Sequence, residues 1–351
     1  MRGTNAFIEQ QEAAFGLNNW LWLLALMGSS LCSGVNADEA TGEATEVAGP
    51  QAIAETTIAE TTIEETIVVG AGSLLTRLGD GGSIDVILTE EILRVGATHP
   101  SELLNRVAGV WVNRGSGQEH LTAIRSAVFT GSGACGEFSY LEDGISIRPQ
   151  GFCNINNLFE LNTEQAAAVE VWRGPASAVL GGNAMHGSIN VLTPTPSGQS
   201  ISTEFGPYDF YRANISVSAD IGEHQVGVGI LGTTTDGYRQ DTGYEQYKLN
   251  LVHTTKWQDW AIKNQLTGTQ LHQETGAYVR GFEVYDDADL RRSNPNPEAY
   301  RDAWSLRASS QWVQGQLTIH PYLRSSKMEF LQHFLPGQPL ENNEQVSGGA
   351  L

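Results

Sequence analysis

The chain has 351 residues, enough for two domains, and 40% of them are hydrophobic, enough for a packed core. Acidic residues outnumber basic residues by 40 to 20, which gives a formal net charge of -20. This balance argues against nucleic acid as a partner, because binding to phosphates needs Lys and Arg. With 39 glycines and only 3 cysteines, the chain is neither a disulfide-dense small domain nor a collagen-like repeat.

The first segment is typical of an export signal. Residues 20–31 form an apolar run that is too short to span a bilayer as a helix but suits the core of a signal peptide. A small-residue site ending at Ala37 follows, so we predict a signal peptide at residues 1–37. Arg2 is the single positive charge before the run, so either translation starts downstream of Met1 or the leader is unusually long. Lipidation of Cys32 is a weaker alternative.

An acidic linker is predicted for residues 38–73. The stretch 38–65 is rich in Glu, Thr, Ala and Gly and cannot bury enough apolar surface to fold. A short repeat occurs three times within the linker, and its third copy is the most β-branched. Such an extended segment can add as a strand to the sheet edge of a partner, whereas the first two copies suit a low-complexity spacer. The third copy comprises Glu65, Thr66, Ile67, Val68 and Val69.

Residues 74–195 carry the helix, strand and turn signals of a small α+β domain. We interpret residues 89–93 as the exit of a strand and residues 99–105 as a short helix that is capped by Ser101 and ends near Gly109. Strands are predicted at residues 110–112 and 121–125. A hairpin is predicted at Asp143-Gly144, because this dipeptide favours a tight two-residue turn.

The most informative stretch is residues 169–192. Alternating valines begin it, Pro175 suits the first position of a one-turn helix at 176–180, and a second short strand closes it. No nucleophile, metal cluster or phosphate loop lies within it. The run Val-Glu-Val-Trp-Arg-Gly-Pro, followed by Gly-Asn-Ala and Ile-Asn-Val, closely resembles the plug-domain signature of TonB-dependent outer-membrane receptors. The matching signature residues are Gly174, Pro175, Gly182, Asn183, Ala184, Gly187 and Asn190.

The resemblance implies a fold, a location and partners. The fold would be an α+β plug domain at 74–195, followed by the first antiparallel strands of a transmembrane β-barrel at 200–351. The protein would lie in the outer membrane of a Gram-negative bacterium, in contact with outer-membrane lipid. Residues 65–69 would be the TonB box, which binds the energy-transducing protein TonB on the periplasmic side.

The same resemblance implies an activity. The protein would be a receptor without enzymatic activity, cofactor or resident metal, and it would take up a scarce extracellular small molecule. A ferric siderophore is the expected cargo, with cobalamin, haem or an oligosaccharide as alternatives. A non-transporting surface β-protein is the remaining alternative, although it leaves the plug signature unexplained.

Two further sets of residues follow from the resemblance. Arg125 and Arg173 match arginines that pair with carboxylates on the barrel wall, and we group Glu170 with them as plug–barrel contacts. The best candidates for contact with the ligand are apical residues of the plug. They are Arg148, Gln150 and Phe152.

A glycine-rich segment at 131–136 fits the dinucleotide-binding pattern, but the residues after it predict a strand where that pattern needs a helix. We therefore expect an apical loop. Cys135 and Cys153 are the cysteines that remain after removal of the leader. In an exported chain such a pair favours a disulfide, which would contribute about 3 kcal/mol; two free buried thiols are the alternative.

From residue 200 onward the hydrophobic period becomes two. Trp304, Leu306 and Ala308 alternate with polar residues over lengths of about ten residues, which is typical of membrane-spanning strands and also of a soluble sandwich. Short turns and a long polar loop at 273–301 favour the barrel, and Trp257, Trp260, Trp304 and Trp312 suit an aromatic girdle. About seven strands are predicted, against about twenty-two in a complete receptor of this family, so we expect a fragment.

Overall fold

A computed structural model describes residues 83–115, 117–128, 137–147, 158–176, 180, 183–194, 198–276, 278–335 and 338–348, with side chains described up to residue 331. These residues form two parts, an N-terminal domain (residues 83–194) and a sheet of long strands that we call the wall (residues 199–348).

The N-terminal domain is built on a mixed five-stranded sheet with strand order β1-β6-β7-β4-β5, beside a separate β2-β3 hairpin. Strands β4 and β7 are parallel, and the other pairs are antiparallel. Apolar side chains of these strands form one core with Leu103, Leu104 and Leu158. The elements are β1 Ile84–Leu88, α1 Thr89–Val95, α2 Pro100–Leu104, β2 Val110–Arg114, β3 His120–Ile124, β4 Phe138–Glu142, β5 Ile145–Ser146, 3-10 turns Leu158–Glu160 and Thr163–Gln165, β6 Ala168–Arg173 and β7 Gly187–Leu192.

The predicted hairpin at Asp143-Gly144 is confirmed. Glu142 pairs with Ile145, and both turn residues have positive φ, 47° for Asp143 and 78° for Gly144. Two successive left-handed residues define the type I′ turn, which Asp-Gly adopts with little strain. The predicted return of the chain from β6 to β7 is also confirmed, since these strands are antiparallel neighbours.

The helix boundaries differ from the prediction. The stretch after β1 is a helix, α1, where we predicted the exit of a strand; it ends at Gly96 with φ 56°. The N-cap of α2 is His99 and not Ser101, because Pro100 occupies the first helical position and leaves the preceding residue to cap. The Ser101 N–H donates to His99 Nδ1 at 3.0 Å. The helix ends at Leu104, well before Gly109, whose φ of 81° belongs to the following turn.

The wall is an antiparallel sheet in which β8 to β13, β15 and β16 lie in sequence order and β14 pairs with β13. Eight strands follow one path, so the prediction of about seven was too low. The last strand explains the difference, because its polar sequence lacks alternation. The elements are β8 Gln199–Gly206, β9 Phe210–Ile221, β10 His224–Thr235, β11 Tyr244–Trp257, β12 Trp260–Glu274, α3 Ala288–Arg292, β13 Tyr300–Gln314, β14 Leu317–Ile319, β15 Tyr322–Leu335 and β16 Gln338–Gly348.

The two faces of the wall differ as the alternation predicts. On β13, Trp304 and Leu306 are 42% and 46% exposed on the outer face, whereas Ser305 and Arg307 are buried on the inner face, against the N-terminal domain. Hydrophobic residues on the side away from the N-terminal domain are what a lipid-facing surface requires. None of the helices within the described ranges is long and apolar enough to cross a membrane.

Candidate functional site between the N-terminal domain and the wall

Basic side chains from the inner face of the wall meet carboxylates of the N-terminal domain. All four cations come from the central strands β11, β12 and β13, and all four are at most 10% exposed. The nitrogen–oxygen distances are 2.7 Å for Lys248–Glu164, 3.4 Å for Lys263–Asp143, 3.1 Å for Arg301–Glu119 and 2.7 Å for Arg307–Glu142. The contact between the two parts therefore includes a set of buried ion pairs, beside neutral hydrogen bonds such as Gln246 to the Phe159 carbonyl.

Arg307 is the centre of the most connected pair. Its Nη2 donates to Glu142 Oε2 at 2.7 Å and to the Glu160 carbonyl at 2.8 Å, and its Nη1 lies 3.9 Å from Glu160 Oε2. Thr267 Oγ1 donates to the other oxygen of Glu142 at 2.7 Å. One guanidinium thus joins a strand end and a 3-10 turn of the N-terminal domain, through charge-assisted hydrogen bonds in a site that excludes water.

Lys263 holds the hairpin turn next to this cluster. Its ammonium group lies 3.4 Å from Asp143 Oδ2 and donates to the Thr193 carbonyl at 3.0 Å. The Thr193 N–H in turn donates to Asp143 Oδ1 at 3.2 Å. The Asp-Gly turn therefore has a second role beyond its backbone geometry, since its carboxylate binds the wall.

The residues predicted to touch the wall form hydrogen bonds and an ion pair within the N-terminal domain. Arg173 forms an ion pair with Asp85, since β1 and β6 are neighbours and the two positions are diagonal across the pair. Arg125 donates to Ser83 Oγ at 3.1 Å, and Glu170 Oε2 accepts from Asn190 at 2.8 Å. Among the described residues, the hydrogen bonds and ion pairs of both arginines are with the N-terminal domain. In the described ion pairs between the two parts, the carboxylates lie on the domain and the cations on the wall. Pairing of Arg125 and Arg173 with carboxylates of the barrel stays a prediction.

The signature residues have structural roles. A Cβ on Gly187 would lie 2.6 Å from the Trp172 carbonyl, so only glycine fits there. Asn190 Oδ1 accepts from the Gly144 N–H at 2.9 Å and fixes the hairpin turn. Ala184 is fully buried and its carbonyl accepts from the Ala176 N–H at 2.9 Å. Gly174, with φ 150°, follows β6 directly, Pro175 comes next, and Asn183 is buried.

Several predicted sites lie outside the described residues. They are the segment Glu65, Thr66, Ile67, Val68 and Val69, the cysteines Cys135 and Cys153, the apical residues Arg148, Gln150 and Phe152, and Gly182. Within the described ranges, no group of three or more His, Cys, Asp or Glu side chains is placed to hold a metal ion.

Two buried histidines lie in the core of the N-terminal domain, and the sequence analysis did not single them out. The rings of His99 and His120 are 5.9 Å apart, and both residues are 1% exposed. His120 is held between the Gln118 carbonyl at 3.2 Å and the Leu158 N–H at 3.3 Å. Burial, reinforced by His120, lowers the pKa of His99 to about 2, and burial lowers the pKa of His120 to about 4.

Acid is therefore expected to loosen the N-terminal domain. Both rings are neutral in the fold but titrate near pH 6.5 once unfolded, so their contribution is complete above that pH and is lost as pH falls towards about 4 for His120 and about 2 for His99. Each unit below pH 6.5 removes about 1.4 kcal/mol per histidine. Hydrogen exchange of β3 peptides, corrected for intrinsic rates, should show this loss between pH 7.5 and 5.

The control for this prediction is a matched pair of variants. His120→Gln should flatten the pH dependence of exchange relative to its own value at pH 7.5, because it removes one titrating ring. His272→Gln, at a side chain that is 62% exposed on the wall, should keep the wild-type pH dependence. Equal slopes in all three proteins would contradict the assignment of the effect to the buried ring.

Comparison with known proteins gives the class. Residues 79–188 match the family model described as the TonB-dependent receptor plug domain. The ferric citrate transporter FecA has a similar structure, with TM-score 0.62, 19% identity, and coverage of 76% of this chain and 43% of FecA. The ferric yersiniabactin uptake receptor FyuA from Yersinia pestis gives TM-score 0.60, 17% identity, and coverage of 77% and 45%. The ferric-catecholate import receptor Fiu from E. coli K12 gives TM-score 0.52 and 20% identity, with coverage of 76% of this chain and 44% of Fiu.

The fold is thus that of a plug domain followed by the first strands of a receptor barrel. Residues 79–188 are thus similar to the plug domain of TonB-dependent receptors, and the fold of the described residues is that of solved receptors of this kind. It spans less than half the length of the solved receptors that it matches.

Proposed function

We propose that this protein takes up a ferric siderophore across the outer membrane, with energy supplied through TonB. The observation that carries the proposal is a plug domain docked on the inner face of the wall by buried ion pairs. A transporter of this kind needs a plug that closes the lumen and can be moved. The three similar receptors described above are each named for a ferric chelate, which favours the same class of cargo here.

The proposed cycle uses both ends of the plug. Cargo binds at the outer face, where we place Arg148, Gln150 and Phe152, because a guanidinium and an aromatic ring suit an anionic iron chelate. Binding exposes residues 65–69 to the periplasm, and TonB then pairs with this segment by strand addition. Force on the segment rearranges the plug and opens a path. No covalent chemistry is required, so the activity is transport and not catalysis.

Uptake assays test the proposal. Iron-starved cells that express the receptor, with and without functional TonB, should be offered ferric catecholate, ferric hydroxamate, ferric citrate, haem, cobalamin and an oligosaccharide. We expect accumulation of one ferric chelate, only when TonB is present. TonB-dependent uptake of haem, cobalamin or the oligosaccharide would replace the cargo class, and uptake of none would favour a non-transporting surface protein.

A disulfide between Cys135 and Cys153 is a further part of the proposal. The bond would restrain the apical loops that we assign to cargo binding, and closing a loop of this size contributes about 3 kcal/mol in the chain-entropy model. Mass spectrometry of the non-reduced plug should show one cross-linked peptide pair that is two hydrogens lighter than the separate peptides. Alkylation of both cysteines without prior reduction would contradict the bond.

A further inference from the structure

An unbroken row of hydrogen bonds crosses the outer face of the wall near one end. It joins side chains from four neighbouring strands, β10 to β13, and each distance lies between 2.5 and 3.1 Å. In order across the sheet, the members are His224, His253, Asn264, Ser310 and Trp312. We call this row the polar ladder. It alternates along each strand with inward-facing residues such as Lys263 and Gln311, so it faces away from the plug.

The direction of the ladder is set at Trp312. An indole nitrogen can only donate, so Trp312 Nε1 donates to Ser310 Oγ, and the serine hydroxyl then donates to Asn264 Oδ1. The amide group of Asn264 donates to His253 Nδ1 at 3.1 Å. A neutral histidine that accepts at Nδ1 carries its proton on Nε2.

The same argument fixes the position of the proton on His224, the last member of the ladder. His253 Nε2–H donates to His224 Nδ1 at 3.0 Å, so His224 carries its own proton on Nε2. His224 is exposed, and its Nε2–H has no partner among the described residues. Each link of the ladder thus has one donor and one acceptor, and the His224 Nε2–H is the donor left over at its end.

The ladder lies at the periplasmic border of the lipid-facing surface. The turns next to it, 222–223 and 258–259, have two residues each, whereas the two longest connections of the wall, 236–243 and 275–299, lie at the other end. Short turns are periplasmic and long loops extracellular in barrels of this type. The outward residues beyond the ladder on β10 are apolar, namely Val226, Val228 and Ile230.

Aromatic residues surround the ladder at the same level. The rings of Trp257 and Trp260 each lie 6.2 Å from the ring of Trp312, and both contacts are edge-to-face. Tryptophan at this depth marks the level of lipid headgroups. An unused N–H donor at headgroup depth is matched by the acceptor oxygens of a lipid phosphodiester.

The charged residues near the ladder determine which lipid headgroup is favoured. The two adjacent turns carry Glu223 and Asp259, both exposed, on the periplasmic side of the ladder. These carboxylates repel an anionic headgroup but attract an ammonium group placed just beyond the phosphate. We propose that the polar ladder, together with these two carboxylates, binds the headgroup of a zwitterionic amine phospholipid, with His224 Nε2–H on the phosphate.

The test uses the receptor in detergent, stripped of lipid and supplied with phosphatidylethanolamine, phosphatidylglycerol or diacylglycerol, with native mass spectrometry of the retained adducts. We expect phosphatidylethanolamine to be retained best, and His224→Leu to weaken it about tenfold, since a hydrogen bond to a charged group is lost. Trp312→Phe, which keeps the ring and removes the first donor, should also weaken retention.

Matched controls lie beside the ladder. Trp257→Phe keeps the aromatic cluster and changes an N–H outside the row, and Thr255→Val changes an outward hydroxyl opposite His224. Both should retain lipid like the wild type. Equal retention of diacylglycerol, a wild-type result for His224→Leu, or equal losses for the two tryptophan variants would each overturn the proposal. Nitrogen chemical shifts of the unmutated receptor give an independent test, because a proton on His253 Nδ1 would overturn it as well.

Discussion

Ile67→Pro is expected to abolish cargo uptake while leaving cargo binding at the cell surface unchanged. Residues 65–69 form a β-branched segment between an acidic linker and the plug, which suits it to pair with the sheet edge of TonB. Strand addition depends on main-chain hydrogen bonds, and proline removes an N–H and fixes φ. Uptake and surface binding of radiolabelled cargo, measured on the same cells, separate the two effects.

The repeat within the linker supplies the control for this experiment. Ile58→Pro makes the same exchange in the first copy of the repeat, which we interpret as spacer, and should leave both uptake and binding intact. If Ile58→Pro blocks uptake and Ile67→Pro does not, the TonB box is the first copy of the repeat and not residues 65–69. Normal uptake in both variants would remove the assignment of a TonB box to this repeat.

Local features of the fold were predictable from the sequence. The Asp143-Gly144 turn depends on two residues that tolerate positive φ, and the alternation around Trp304 depends on one face meeting lipid. Both signals lie within a few residues. By contrast, α1 has seven residues and one fully buried side chain, Ile92, so its stability comes from packing on the domain and not from a periodic pattern.

The ion pairs between plug and wall were not predictable in the same way. Glu142 and Arg307 are 165 residues apart, and their contact depends on how two separately formed sheets dock. The sequence did place Arg307 on the polar face of its strand, and a cation at such a position signals a partner inside the lumen. The partner itself could not be identified, and the resemblance directed attention to arginines of the plug instead.

Removing the charge of Arg307 is expected to weaken the docking of the plug on the wall more than removing the charge of Arg125. Arg307→Gln removes the cation that pairs with the buried Glu142 and lies near Glu160, and breaking a buried pair from one side costs about 3–5 kcal/mol. Arg125 is exposed, and its partners are a hydroxyl and a carbonyl, so Arg125→Gln should cost less than about 1 kcal/mol.

Conductance of the receptor in planar bilayers, titrated with urea, reports when the plug leaves the lumen. A loss of that size should lower the midpoint of pore opening for Arg307→Gln by about 1 M or more, while Arg125→Gln stays near the wild type. The double variant Arg307→Gln with Glu142→Gln should recover part of the loss, because it also removes the buried charge that Arg307 balances at 2.7 Å. An early opening in Arg125→Gln with none in Arg307→Gln would show that arginines of the plug hold it to the wall, as the family resemblance first implied.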